Sequence, residues 1–503
     1  MSKDVEMKEV ELNELDEKQP MTGDGSAEKN GSVKVKVPED SEVKFTGLSK
    51  EELMRVAGTA GWVRTRWLLL VLFWLGWVGM LAGAIVIIIQ APRCKPLPEM
   101  NWWNEGPLYQ IRDVEAFAGD KGLAGVEEKL DQLNQLKVKG LILGPLHTVQ
   151  VNEAPTLNLK SIDPSFGSVE DLDSLMERAH KKGMSIVLDL TPNYESDVNQ
   201  WFGGFSNMAQ SLKEAMEFWA AKGLDGVLLY SLDAVFPASP DQWAPLLATL
   251  EVEEVEGAKK RALIGVADGL TISDAAQLLN STGMNLLLPE LQPAASGQSW
   301  ANVIQQLYSS HLQTSQGWCL SRPNVGHLAS QVTPKLLRLY QLLLFTLPGT
   351  PVFNYGDEIG LEDQDTNITP AMVWDYEGPE DEKNTTAKEL REELKSRRDW
   401  FRSLSDLRGK ERSLAHGDYV ALHNATASLA YVRVWDQSER FLTAVNWGSA
   451  DAKLRLAHPE LPAQASVRYS TDTERHAQGS SVDLDVLELG PGQALLLSYP
   501  FSA

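Results

Sequence analysis

The chain holds two thiols, Cys94 and Cys319, and their settings assign them different chemistry. Cys94 lies five residues beyond the uncharged run Trp67–Ile89. Five extended residues reach at most ~18 Å, so this sulfur meets only groups held near the end of that run. Three fates are open to it in an oxidising compartment: a free thiol, a bond to Cys319, or a bond to another chain. Cys319 follows Trp318 in a predicted strand and reads as a small buried residue, which leaves Cys94 unpaired within the chain. An intermolecular disulfide is the expectation.

The run that positions Cys94 spans ~34 Å as a helix at 1.5 Å per residue, enough to cross a ~30 Å hydrocarbon core. It starts too far into the chain, and is too long, for the apolar region of a cleaved signal peptide, so it reads as a signal-anchor. Lys50, Arg55, Arg64 and Arg66 precede it, whereas only Arg93 and Lys95 follow closely. That imbalance places the N-terminus inside and the rest of the chain outside, a type II arrangement. The sequons at Asn280, Asn367, Asn384 and Asn424 all fall on the outer side and are candidate N-glycosylation sites, while Asn30 should stay bare. Within the span Gly76, Gly79 and Gly83 fall near one face, and the Gly79-x-x-x-Gly83 spacing lets a partner helix approach closely. Trp62 and Trp67 read as interfacial anchors.

The 503 residues are 43% hydrophobic and 23% charged, an ordinary globular composition. Forty-six cations against 69 anions give a formal charge of −23, which argues against binding nucleic acid or an anionic lipid surface. Residues 1–66 form a largely disordered tail, with a short helix expected after the capping-box sequence Ser49-Lys-Glu-Glu52. The span 67–89 and a stalk 90–104 follow. From 105 to 405 short apolar runs alternate with amphipathic segments. Eight candidate strands are Leu108–Ile111, Val138–Leu143, Ile186–Leu190, Gly226–Tyr230, Ala262–Val266, Asn285–Leu288, Trp318–Leu320 and Pro351–Tyr355. Helical segments such as Val126–Leu136, Val169–Lys182 and Leu336–Leu344 lie between them. This rhythm predicts an α/β TIM (β/α)8 barrel. Residues 406–503 change to alternating strands with Gly, Asn and Asp turns, a C-terminal antiparallel β-sandwich domain.

Several phrases resemble the α-amylase family, glycoside hydrolase 13: LYQI at 108–111, KLDQLNQLKVKGLILGPLH at 129–147, IDPSFGSVEDLDSLMERAHKKG at 162–183, VLDLTPN at 187–193 and LPGTPVFNYGDEIGLED at 347–363. That family cleaves glycosides with a carboxylate nucleophile and a carboxylic general acid flanking one bond. Position by position, the resemblance implies that the catalytic groups are missing. The fourth-strand pattern Gly-Phe-Arg-x-Asp reads Gly226-Val227-Leu228-Leu229-Tyr230, so Leu228 stands for the arginine and Tyr230 for the nucleophile. Val266 replaces the general acid, and Asn324 removes the third carboxylate. Asp189 and Asn193 are kept, but Tyr194 stands where the family has histidine. The short interval from Tyr194 to Asp225 also leaves no room for the inserted B domain of many family members. Displaced acids such as Asp233 and Asp268 would have to meet by accident to restore chemistry. No catalysis, cofactor or metal is expected.

An amylase-type barrel behind a single anchor resembles the heavy chains of heteromeric amino-acid transporters. The phrases KFTGLSKEEL at 44–53, GWVRTRW at 61–67, FWLGW at 73–77, MLAGA at 80–84, APRC at 91–94 and LLRLYQLLLFTLPGTPVF at 336–353 carry that likeness. They fit the 4F2-type branch better than the cystine-transporter branch, which keeps more of the glycosidase pattern and has extra cysteines. The resemblance implies a non-catalytic subunit that pairs Cys94 with a multi-pass light chain and escorts it to the plasma membrane. It also adds association with integrins. An adhesion or signalling receptor and a membrane-anchored glycosidase are the other readings.

Overall fold

The computed structural model describes residues 49–90, 94–147, 157–192, 208–232, 259–267, 278–279, 284–289, 291–293, 295–310, 313–321, 326–364, 369–374, 385–456 and 458–501. They belong to two compact units, Met1–Pro92 and Arg93–Ala503.

In the first unit, Ser49 caps the helix Lys50–Ala57: its side chain accepts from the Glu52 backbone, and the Glu52 carboxylate accepts from the Ser49 backbone. A second helix, Ala60–Gln90, contains the whole uncharged run and extends it by two turns bearing Arg64 and Arg66. Every residue of that helix is exposed within its unit. It is long and apolar enough to cross a membrane. With apolar side chains all round, it has no polar face to turn to water.

The second unit begins with the barrel strands β1 (Leu108–Ile111), β2 (Gly140–Leu143), β3 (Ser185–Asp189), β4 (Gly226–Leu229), β5 (Ala262–Ala267), β6 (Leu286–Pro289), β7 (Gly317–Trp318) and β8 (Thr350–Asn354). They run in parallel, each of β1 to β6 beside the next, with β8 against β1 and β7 against β8. A single parallel bridge, Leu287 to Gln316, joins β6 to the residue before β7 and brings the eight strands round. Each observed strand overlaps its expected run. Strands buried on both faces must be apolar on both, which is why continuous runs located them.

The pleat sorts their side chains into two layers. Leu108, Ile142, Val187, Leu228, Tyr230, Ala262, Ile264, Val266, Leu286, Leu288, Cys319 and Val352 pack with one another as the barrel interior. Their neighbours in sequence, such as Leu141, Leu143, Leu229, Leu263 and Phe353, pack outward with helices including Gly122–Gln135, Val169–Lys181 and Pro334–Thr346. Trp102 and Trp103 close the end at which the strands begin. Their rings meet edge to face at 5.5 Å, and their indole N–H groups donate to the Lys260 and Thr314 carbonyls at 2.9 and 3.2 Å. Gly140 makes room for the first of them, since a Cβ there would sit 2.7 Å from the Trp102 ring.

The helix Thr385–Lys410 runs through the expected boundary at 405/406 and leads into the C-terminal strands. These are β9 (Asp418–Asn424), β10 (Ser428–Val434), β11 (Arg440–Asn446), β12 (Ala452–Leu454), β13 (Gln464–Ser470), β14 (Ser481–Asp483), β15 (Leu487–Leu489) and β16 (Gln493–Tyr499). Six form an antiparallel sheet in the order β14-β13-β16-β11-β10-β9, and β12 pairs with β15. One face of the large sheet, with Leu429, Tyr431, Phe441 and Leu496, joins the core shared with the barrel helices. The other, with Val432, Leu442, Leu495 and Leu497, packs on Leu454, Leu487 and Leu489 of the small pair.

Candidate functional site

Three of the positions that the resemblance assigns to glycosidase chemistry lie among the packed residues of the barrel. Leu228, Tyr230 and Val266 point into the interior and are at most 4% exposed. Tyr230 lies one residue past β4 and accepts a hydrogen bond at its hydroxyl from the Gln110 side-chain amide on β1, at 2.6 Å. Its backbone N–H donates to the Thr191 hydroxyl at 3.0 Å. Thr191 in turn donates from its hydroxyl and its backbone to Asp189 Oδ1, at 2.5 and 2.9 Å. The retained Asp189 thus ties the β3 end to the β4 end. Burial, reinforced by Asp189, holds the Tyr230 phenol far above its ordinary range, so it stays neutral. Asn193, Tyr194, Asn324, Asp233 and Asp268 lie outside the described residues.

One buried acidic cluster was not singled out from the sequence. The Tyr109 hydroxyl donates to both Glu358 oxygens at 2.9 and 3.1 Å, and burial pushes that carboxyl up to about 7. Asp357, also raised by burial, accepts from the Ser321 hydroxyl at 2.6 Å and from the Asn354 and Leu328 backbones. His327 lies between Asp363, at 2.6 Å, and the Tyr355 carbonyl, at 2.9 Å. These acids knit the segment after β8 to β1 and to the chain after β7. Their only signal was the run Asp357-Glu358 in an otherwise apolar stretch. Among the described residues no group of three or more His, Cys, Asp or Glu could hold a metal ion.

The two thiols are placed very differently. Cys319, one residue beyond β7, is 4% exposed and donates to the Ser321 carbonyl at 2.8 Å; burial pushes its thiol far above the usual range. Cys94 is exposed, and both cysteines are free. A thiol enclosed in the barrel interior is out of reach of one on the surface. From Cys94 to Glu99 the stalk is exposed and without regular structure. With Tyr308, Gln313, Arg408, His416 and Trp435 it borders a cleft of about 460 Å³.

In the first unit, a Cβ on Gly76, Gly79 or Gly83 would meet nothing within 4 Å. Phe73, Trp74 and Trp77 stack edge to face along the same helix at 5.9 and 5.7 Å. Of the sequons, Asn424 is exposed at the end of β9. Asn280, Asn367 and Asn384 lie outside the described residues.

Comparison with known proteins follows the same division of the chain. Residues 32–109 match the family described as Solute carrier family 3 member 2 N-terminus, and residues 109–219 match the Alpha amylase, catalytic domain. The amino acid transporter heavy chain SLC3A2 of Oryctolagus cuniculus is 45% identical, over 100% of both chains. The heavy chain SLC3A1 of Mus musculus is 24% identical over 98% of this chain and 92% of its own. The crystal structure of the α-amylase from Geobacillus thermoleovorans aligns with a TM-score of 0.60 at 18% identity, covering 80% of this chain and 100% of that one; this likeness is one of fold. A full-length relation at that identity decides the matter: the chain belongs to the SLC3A2 family of amino acid transporter heavy chains.

Proposed function

We propose that this chain is the non-catalytic heavy subunit of a heteromeric amino-acid transporter, linked at Cys94 by a disulfide to a multi-pass light chain that it stabilises and brings to the plasma membrane. The observation that carries this is the contrast between the two thiols: Cys94 is exposed at the head of the stalk, and Cys319 is sealed in the barrel. In this arrangement the tail 1–66 is cytoplasmic, 67–89 crosses the bilayer, and the barrel and C-terminal domain lie outside, with N-glycans on Asn424 and its fellow sequons. Packed Leu228, Tyr230 and Val266 support a barrel that serves as scaffold. Among the described residues no observation favours the receptor reading.

Cys94→Ser tests the assignment. Non-reducing electrophoresis of membranes should lose the reductant-sensitive heterodimer completely. Non-covalent association persists, because helix and ectodomain keep the partner at high effective concentration. A linked dimer of unchanged amount in the variant would sink the assignment.

The glycine face gives a second expected result. Gly79→Leu with Gly83→Leu should separate two packed backbones and cost about 1 kcal/mol of helix packing, roughly a fivefold loss of light-chain recovery on affinity capture. The heavy chain itself should still fold and reach the surface, since no described residue packs on that face. Light-chain recovery equal to wild type would show the face to be idle.

A further inference from the structure

Lys95, next to the stalk thiol, is held at three points by the C-terminal domain. Its backbone N–H donates to Asp436 Oδ2 at 3.2 Å, and its ammonium donates to Asp418 Oδ2, also at 3.2 Å. The same ammonium lies 4.7 Å from the centre of the Trp435 ring. Both acids have defined places in the fold. Asp418 opens β9 and accepts from the Tyr308 hydroxyl on its other oxygen at 2.8 Å. Asp436 sits in the turn from β10 to β11 with φ of +41°, a conformation that Asp tolerates better than most residues.

We propose that Lys95 is a positioning residue for the Cys94 disulfide. It moors the chain one residue from the thiol, so that the sulfur is presented at the end of the C-terminal domain formed by the start of β9 and the β10–β11 turn. The proposal rests on Cys94 being the linking thiol. Without Lys95 the next side chain locked into the fold is Trp102, and a thiol eight residues away sweeps out to ~28 Å rather than ~4 Å. Loop-closure scaling over that change in tether length sets an upper limit of roughly twentyfold on the gain in local thiol concentration. The Lys95 and Asp418 side chains are about half exposed, so the mooring opens part of the time and weakens with salt. An effect of about three- to tenfold on the rate of disulfide formation follows.

The experiment uses the full-length heavy chain–light chain complex in detergent. The interchain bond is reduced with dithiothreitol, the reductant is removed, and glutathione buffer is added. Each interchain S–S bond that forms takes two thiols and reduces one glutathione disulfide to two glutathiones. The initial rate is read by non-reducing electrophoresis, with co-purification measured in parallel. Lys95→Met should re-form the bond three- to tenfold more slowly with undiminished non-covalent association. Raising salt should slow the wild type toward that rate and leave the variant nearly unchanged. Lys95→Arg should keep most of the wild-type rate, and Lys95→Asp with Asp418→Lys should recover part of what each single change loses, the charge pair without the Trp435 and Tyr308 contacts. A wild-type link whose rate ignores Lys95→Met and whose salt response is matched by that variant overturns the mooring alone. A wild type that forms no Cys94-dependent link overturns the linkage and the mooring together.

Discussion

Arg433→Met should destabilise the second unit by about 3–5 kcal/mol, read as a lower urea midpoint in circular dichroism of the full chain. Arg433 lies on β10 with no exposure, yet it faces carbonyls rather than a carboxylate. Its guanidinium donates to the Thr346 and Gly417 carbonyls, each at 2.8 Å, and to Gln313 Oε1 at 3.0 Å. Arg408 does the same for the Phe345 and Leu347 carbonyls at 2.6 and 2.9 Å, and for that of Gly349. The helix Pro334–Thr346 ends here, where its last carbonyls have no intrahelical donor and carry the negative end of its dipole. Two guanidiniums supply that end. Burial, then mutual repulsion, lowers the Arg408 guanidinium to about 9, and burial lowers that of Arg433 to about 10; both stay charged at neutral pH. Methionine fills the space without a donor and strands the Thr346 carbonyl and Gln313 Oε1, while the Gly417 carbonyl keeps only its bond from the Gln313 amide. Lysine keeps the charge but lacks the planar fork, so Arg433→Lys should fall between. An unchanged midpoint in Arg433→Met would mean that these acceptors find other donors.

Restoring carboxylates to the barrel should wreck it rather than revive it. Tyr230→Asp with Val266→Glu places two acids among Leu228, Ile264 and Leu288, and it removes the hydroxyl that accepts from Gln110. Each carboxyl loses its water in an apolar interior, a cost of several kcal/mol per group if ionised and a strongly raised pKa otherwise. Leu228 occupies the place where the resemblance implies an arginine, so no guanidinium from β4 stands beside the new aspartate. Neither wild type nor double variant should release p-nitrophenol from its α-glucoside above a blank. The variant should also unfold at least about 4 kcal/mol more easily. Turnover by either protein would refute the reading of the barrel as scaffold.

The parallel strands were legible because burial on both faces demands apolar runs, a demand that β1 to β8 meet with few polar exceptions such as Gln110 on β1 and Asp189 on β3. β13 was not. Its residues Gln464–Ser470 alternate between exposed and buried next to the short edge strand β14, and with Ser, Arg and Tyr among them no run stands out. The helix Thr385–Lys410 escaped for a related reason: it is densely charged, with Phe401 and Leu404 among its few fully buried residues. Cys94 and the glycine face could be picked out because a thiol and a missing side chain are conspicuous near an uncharged run. Lys95 was read only as one of two outer cations. Its contact with Asp418 spans 323 residues of sequence, and no local pattern encodes a pairing across that distance.

Tension gives the paired indoles at the barrel base another meaning. A pull on the chain from the Cys94 side reaches the half-exposed Lys95 contacts first, and these yield easily. The irregular stalk then yields before load reaches Trp102, whose flat ring must be drawn from behind Gly140 and off the Lys260 carbonyl, with the Trp103 indole on the Thr314 carbonyl next in line. Slack is therefore built in ahead of the stop. A pull that is taken up by the irregular stalk leaves the strands unstressed, and a larger one meets two buried rings in succession.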